Sequence, residues 1–216
     1  GVRLFLEANT LQLSVWADLV RRRLHPGDRV TYVIGRNINY TNVCWVQCRF
    51  CNFYRLPGQE GGYVLSREAV LAKVQELVDL GGTEILIQGG LNPALRLEFF
   101  EELFRAIKAR FPVHLHALSP AEILYLAKIS GLDPQRCLER LRGAGLDSIP
   151  GAGAEMLVEE VRQRIAPHKD TAQAWLDLMR TAHRLGIPST ATMMYGSVET
   201  VEQRVAHLLA VRDLQD

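Results

Sequence analysis

The chain has 216 residues, 48% of them hydrophobic and 23% charged, a balance that suits one large packed domain, or a domain with a small appendage, and argues against disorder. Its 25 basic and 24 acidic residues leave a formal net charge of +1, so the basic excess of a general nucleic-acid binder is missing. No apolar run approaches the roughly 18 residues that a membrane-spanning helix needs.

The first 30 residues are amphipathic and charged throughout, unlike a signal peptide. Residues 10–24 read as a helix with Leu11, Val15, Leu19 and Leu24 along one face. Arg21, Arg22 and Arg23 sit at its C-terminal end, where cations suit the helix dipole, and read as a solvated cap. His25-Pro26-Gly27-Asp28 breaks the helix. Residues 1–29 are therefore expected to form a helical extension and 30–216 the main body. Val30 to Ile34 and Arg36 to Asn42 are β-prone, and the second run leads directly into a cluster of cysteines.

Three of the four cysteines, Cys44, Cys48 and Cys51, fall within eight residues in the spacing C-x3-C-x2-C. Thiolates are the soft ligands that iron–sulfur clusters prefer. Three of them would leave one iron of a cluster open to bind something else. Two duller readings stand beside this one. Offsets of 0, 4 and 7 also make a helical stripe of small hydrophobes. A structural zinc site is the other, with Cys137 or a distant His as its fourth ligand. Clustered cysteines without an export signal point to a reducing, cytoplasmic compartment.

A regular alternation follows. Ser66 caps a helix running to Leu80, and Gly81-Gly82 stops it. Thr83 to Gln88 fits a buried parallel strand, and Gly89-Gly90 a turn. A helix from about Arg96 to Arg110 leads to a strand from Val113 to Leu118, then to Ser119-Pro120 as helix cap and first residue. That helix breaks at Ser130-Gly131 and resumes after Asp133-Pro134. Leu146 to Ile149 reads as a fourth strand, with a helix from Ala154. A helix from Thr171 to Leu185, a fifth strand from Ser189 to Tyr195 and a last helix from Val198 complete the series.

Strand, turn and helix, repeated about five times, predict an α/β fold, a partial (β/α) TIM-type barrel. Functional groups then gather on the turns after each strand. These turns hold the cysteines, Gln88-Gly89-Gly90, His116, and Gly151-Ala152-Gly153-Ala154-Glu155. Adjacent glycines let backbone approach a ligand, though a plain tight turn uses them equally well. His114 and His116 share one strand face, with His116 nearer the rim; paired barrel histidines are the plainer reading. Glu155 could accept from a ribose diol or an ammonium group, or merely oppose a helix dipole. Arg162, Arg164, His168 and Lys169 form a basic cluster that reads as solvated surface or as a partner for a ligand carboxylate. Cys137 reads as an inert packed thiol.

The cysteine motif after a first barrel strand, with Phe50 before the third cysteine, resembles the radical S-adenosylmethionine enzymes. Asn39-Tyr40-Thr41-Asn42, Asn52-Phe53-Tyr54-Arg55, Gln88-Gly89-Gly90-Leu91-Asn92-Pro93, His114-Leu115-His116-Ala117 and Gly145 to Gly151 are similar to that superfamily's menaquinone (futalosine) branch. The resemblance implies an oxidoreductase whose 4Fe-4S cluster is held by Cys44, Cys48 and Cys51. The open iron would chelate S-adenosylmethionine, with Phe50, Gln88, Gly89, Gly90 and Glu155 around that cofactor. Reduction would release a 5′-deoxyadenosyl radical. The implied substrate is the small molecule dehypoxanthine futalosine, with His116 as candidate base and a flavodoxin or ferredoxin as electron donor; no nucleic acid or membrane is involved. Aminofutalosine-forming and deazaflavin-forming enzymes are the near alternatives, and a non-catalytic zinc-stabilised binding domain the distant one. Two departures stand out. The turn after the fifth strand reads Gly196-Ser197 where the family pattern carries Gly-His. The chain starts at Gly1 and stops at Asp216 inside a helical pattern, so a barrel truncated after about five βα units, with its C-terminal part missing, is expected.

Overall fold

Alternation along three short strands sorts their side chains onto two faces, one mostly apolar and one mostly polar. In the computed structural model, which describes residues 1–216, these strands are β1 (Gly35–Asn39), β2 (Glu84–Gln88) and β3 (His114–Ala117). They form a parallel sheet in the order β1-β2-β3. Ile38, Ile85, Ile87, Leu115 and Ala117 are buried beneath the helices. The register places Asn37, Leu86 and His116 in one row on the opposite face, and Asn39 beside Gln88 in the row nearer the strand ends.

Helices α3 (Arg67–Asp79), α4 (Leu97–Arg110), α5 (Pro120–Ser130), α6 (Pro134–Ala144) and α8 (Ala172–Arg184) supply most of a core of 35 buried residues. Phe100 anchors it, meeting Tyr40 edge-on at 5.1 Å and Phe99 at 5.1 Å between ring centroids. Arg140 of α6 donates to Glu101 of α4 at 2.9 and 2.7 Å, tying the two helices together. Ser66, Ser119, Asp133 and Thr171 cap their helices through side-chain oxygens, as their positions in the sequence suggest. Cys137 is fully buried, and burial pushes its thiol up to about 12, so it is inert. No helix is long and apolar enough to cross a membrane.

Several elements differ from the sequence expectation. Residues 30–34 form no strand: Val30 and Tyr32 are 87% and 85% exposed, and β1 begins only where Gly35 meets Glu84. Sheet propensity without a neighbouring strand to pair with yields only extended chain. The fourth and fifth strands are reduced to single parallel bridges, His116 with Ser148 and Ile149 with Ser189. After Ser189 the chain is held instead by Thr190 and Thr192, whose hydroxyls bond the Gly151 amide and carbonyl. The helix expected from Ala154 begins at Glu159, as α7 (Glu159–Ile165), because Glu155 adopts a left-handed φ of 46° that ends any helical run.

The N-terminal region holds α1 (Val2–Glu7), not foreseen, and α2 (Thr10–Leu24). Leu11, Val15, Leu19 and Leu24, read as one apolar helix face, are all exposed. Local interactions hold α2: an Asn9–Gln12 capping box and Asp18 bridges to Arg21 and Arg22. The last helix, α9 (Val201–Gln215), buries His207, whose Nδ1 accepts the Leu157 N–H at 3.0 Å.

That bond requires a neutral ring. Burial, followed by the charge of Arg162, lowers the His207 pKa below its ordinary 6.5. The unfolded chain therefore takes up a proton first, and the stability due to neutral His207 is complete above about pH 6.5 and lost as pH falls toward the folded value. Replacing His207 with Gln, which keeps an acceptor, is expected to flatten the drop in stability between pH 7.5 and 5.5. Urea denaturation at the two pH values measures it, and an unchanged slope would contradict it.

Candidate cofactor site

The Asn39-Tyr40-Thr41-Asn42 run leaves β1 and builds the base of the cysteine loop, with the side chains of Tyr40, Thr41 and Asn42 each hydrogen-bonded. The Thr41 hydroxyl donates to the Tyr63 carbonyl at 2.5 Å and accepts the Val43 N–H at 3.1 Å. Asn42 donates to the Gly61 carbonyl and accepts the Tyr63 N–H, at 3.0 and 2.8 Å. Across the loop, Cys44 N–H meets the Arg55 carbonyl and Arg55 N–H the Asn42 carbonyl, both at 2.9 Å. At its far side, Arg49 N–H reaches the Ile165 carbonyl of α7 at 2.8 Å. The loop is thus clamped at both ends and is not helical, so the reading of a helical cysteine stripe does not hold.

Gly89 and Gly90 press against this assembly. A Cβ on Gly90 would lie 2.3 Å from the Val43 carbonyl oxygen and 2.8 Å from Cys44 Cβ; one on Gly89 would lie 2.7 Å from the Tyr40 ring. The glycines are needed for packing within the protein itself. Their amides are occupied too: Gly90 N–H donates to the Thr41 carbonyl, and Gly89 N–H to Glu122 Oε1 at 3.0 Å. Glu122 is 3% exposed. It also accepts from Tyr40 Oη at 2.8 Å and from Ser119 N–H and Oγ at 2.7 and 2.6 Å. Burial pushes its carboxyl up, against the pull of Ser119, Tyr40 and Gly89.

These turns enclose a cavity of about 210 Å³ lined by Cys44, Cys48 and Cys51 together with Phe50, Gln88, Gly89, Gly90, Glu122, Glu155 and Lys169. All three thiols are unpaired and half-buried. Val46, Leu91 and Ala121 pack beneath the loop as a small apolar floor. Glu155, read as a first-turn helix carboxylate or a ligand acceptor, lies four residues before α7 and pairs with Lys169 Nζ at 2.6 Å. Burial lowers the Lys169 pKa, but the charges of Glu155 and Cys48 outweigh it and the net shift is upward. Burial pushes the Cys48 thiol up, partly offset by Lys169. Arg162 is not solvated surface: it is 3% exposed and donates to the Gly153 and Ala154 carbonyls at 3.0 and 2.6 Å.

The thiols, Phe50, the Gln88–Gly90 turn and Glu155 therefore converge as the sequence suggested, whereas His116 does not reach this cavity. It stands one row below Gln88, with Nδ1 2.6 Å from Ser148 Oγ, which His114 Nε2 also meets at 2.7 Å. Burial lowers the His116 pKa, with His114 adding to the effect. Cys137 lies in the helical core and cannot complete a site with the loop. No three His, Cys, Asp or Glu side chains converge as a single ion's ligand set. Three soft donors on the wall of one cavity suit a cluster, whereas a structural zinc ion would need a fourth donor beyond these cysteines. Sequence reasoning missed Glu122 and the buried role of Lys169. Ser119-x-x-Glu122 is a legible capping box, but nothing in that pattern reports its reach to Tyr40 and Gly89. The Gly196-Ser197 turn closes on Glu199, which accepts both their amides at 2.6 and 2.9 Å.

Residues 38–211 match the family model of the Radical SAM superfamily. The chain is 45% identical over 217 residues to a cyclic dehypoxanthine futalosine synthase of Halalkalibacterium halodurans, covering 100% of this chain and 59% of that protein. It is 43% identical over 223 residues to a 5-amino-6-(D-ribitylamino)uracil–L-tyrosine 4-hydroxyphenyl transferase of Microcystis aeruginosa, covering 99% of this chain and 59% of that one. The chain thus spans under two thirds of these relatives' length. The crystal structure of a methylornithine synthase shares the fold, with a TM-score of 0.73 at 18% identity over 94% of this chain and 56% of that chain.

Two substitutions test the clamp around the cavity. Glu122→Gln puts an amide NH₂ among four donors and is expected to cost roughly 1–3 kcal/mol of stability. Gly90→Ala drives a methyl into the Val43–Cys44 backbone and is expected to lower the unfolding midpoint as well. Urea midpoints equal to the wild type in both variants would contradict the proposed packing.

Proposed function

The chain belongs to the radical SAM superfamily, and on that premise we propose that it closes dehypoxanthine futalosine into its cyclic form. The observation that carries the reading is the placement of Cys44, Cys48 and Cys51, unpaired, on the wall of one cavity with the Gln88–Gly90 turn and Glu155. Residues 30–216 are assigned as the catalytic body and 1–29 as an extension.

In this reading the three thiolates hold a 4Fe-4S cluster and leave one iron open for S-adenosylmethionine. Together the two groups supply a carbon radical able to take a hydrogen atom from substrate. The protein's own residues do the rest. The Gly89 carbonyl, which accepts no hydrogen bond within the protein, offers an acceptor to an amino group. Glu155 keeps one carboxylate oxygen on Lys169, and the other would accept from a ribose diol or ammonium. Phe50, Val46 and Leu91 give the cavity an apolar wall that keeps water from a reactive intermediate. In the implied reaction a ribose hydrogen is removed, the carbon radical closes onto the benzoate ring, and loss of an electron and a proton restores aromaticity. His116, whose pKa burial lowers, stands one row below Gln88 and outside the cavity lining, so direct transfer of that proton to it is not part of this reading. A flavodoxin or ferredoxin would supply the electron that starts turnover, and the electron released at the end would return to the oxidised cluster.

The near-equal identity to the uracil–tyrosine transferase supports a second reading, in which the same site couples an aryl group to a ribitylaminouracil. Mass spectrometry after anaerobic reconstitution separates the two. Dehypoxanthine futalosine is expected to give a product lighter by two hydrogens, and 5-amino-6-(D-ribitylamino)uracil with tyrosine to give none; the reverse result overturns the assignment. Cys48→Ala is expected to lose the broad visible absorbance of the cluster and all turnover. Retained absorbance in that variant, or stoichiometric zinc in the wild type, would refute the ligation.

A further inference from the structure

Two opposite charges stand beside Cys48 in the same cavity. Lys169 Nζ lies 2.6 Å from Glu155 Oε1, and the two side chains are only 12% and 15% exposed. Lys169 Nζ also stands 6.0 Å from the ring centroid of Phe50, the residue before Cys51. Charges this shielded from water keep a field that salt does not screen away.

The pair is built into the backbone. Glu155 holds a left-handed φ of 46°, unusual for a residue with a side chain, and its carbonyl accepts the Met194 N–H at 2.7 Å. Lys169 N–H is fixed to the Ala166 carbonyl at 3.0 Å. The neighbouring cation, Arg162, spends its donors on the carbonyls of Gly153, Ala154 and Asp170, so Lys169 is the cation that Glu155 binds. Asp170 is the other acid nearby, and burial pushes its carboxyl up.

We propose that Lys169 and Glu155 are positioning charges that set the reduction potential of the cluster held by Cys44, Cys48 and Cys51. The proposal rests on the cluster reading above. One-electron reduction, by a donor of the flavodoxin or ferredoxin kind, adds one negative charge and changes no bond or proton. A fixed ammonium nearby stabilises the reduced form, and a fixed carboxylate opposes it. Glu155 also offsets the cost of holding Lys169 charged in a nearly dry wall.

The test is a mediated redox titration of the reconstituted protein without S-adenosylmethionine, read by the loss of visible absorbance. Lys169→Met is expected to lower the midpoint and Glu155→Gln to raise it. Each shift corresponds to about a tenfold change in the reduction equilibrium, or about 59 mV for one electron. Lys169→Arg is expected to restore the wild-type value. Unmoved midpoints, or shifts of both variants in one direction, overturn the proposal. If Lys169→Met holds no cluster, Glu155→Gln alone decides: an unmoved or lowered midpoint there overturns it. A wild type that assembles no cluster instead sinks the parent reading, which keeps the two failures distinct.

Discussion

One buried carboxylate gathers the three turns that make the site. Glu122 takes a hydrogen bond from Tyr40 at the end of the first strand, from Gly89 after the second, and from Ser119 after the third. In a parallel α/β fold these turns share a rim, but a shared rim alone leaves each loop free to choose its own geometry. The Glu122 bonds remove that freedom. Once Gly89 is drawn in, Gly90 lies directly against Val43 and Cys44, and the cysteine loop starts from a fixed point.

The energetics favour this arrangement only because it is complete. An unpartnered buried carboxylate would cost several kcal/mol, whereas four donors supply what water would have given. The apolar core beneath has no such requirement: Phe100, Phe104 and Leu138 need only volume and contact. Polar groups near the cavity therefore specify geometry, while the helices supply stability. The same division explains Arg162, which spends its charge on three carbonyls to hold the 153–155 turn and so presents Glu155 and Lys169 to the cavity.

Much of the fold could be read from residues whose signals are local. Ser66, Ser119 and Thr171 mark helix starts because a cap needs only its own turn. The alternation around Ile85 and Ile87, and around Leu115 and Ala117, marks strands because burial repeats every second residue. The cysteine spacing left a metal-binding loop and a helical stripe both open, and the structure shows a loop with the three thiols lining one cavity. Misreadings arose where a distant partner decides. Val30–Ile34 has strand propensity but no neighbour, Leu11 to Leu24 has an apolar stripe that this chain does not cover, and the fourth and fifth strands shrink to single bridges. Glu122 escaped notice, and Lys169 was read only as one member of a basic cluster, because a capping glutamate and a loop lysine look ordinary until their partners, 82 and 14 residues away, are known.

The proposed cluster depends on three thiolates that leave one iron open. Electron paramagnetic resonance of the anaerobically reduced protein, recorded with and without S-adenosylmethionine, tests this directly. The expected result is the signal of a reduced 4Fe-4S cluster whose shape changes when S-adenosylmethionine is added. A cluster signal indifferent to S-adenosylmethionine, or no cluster signal at all, would contradict it.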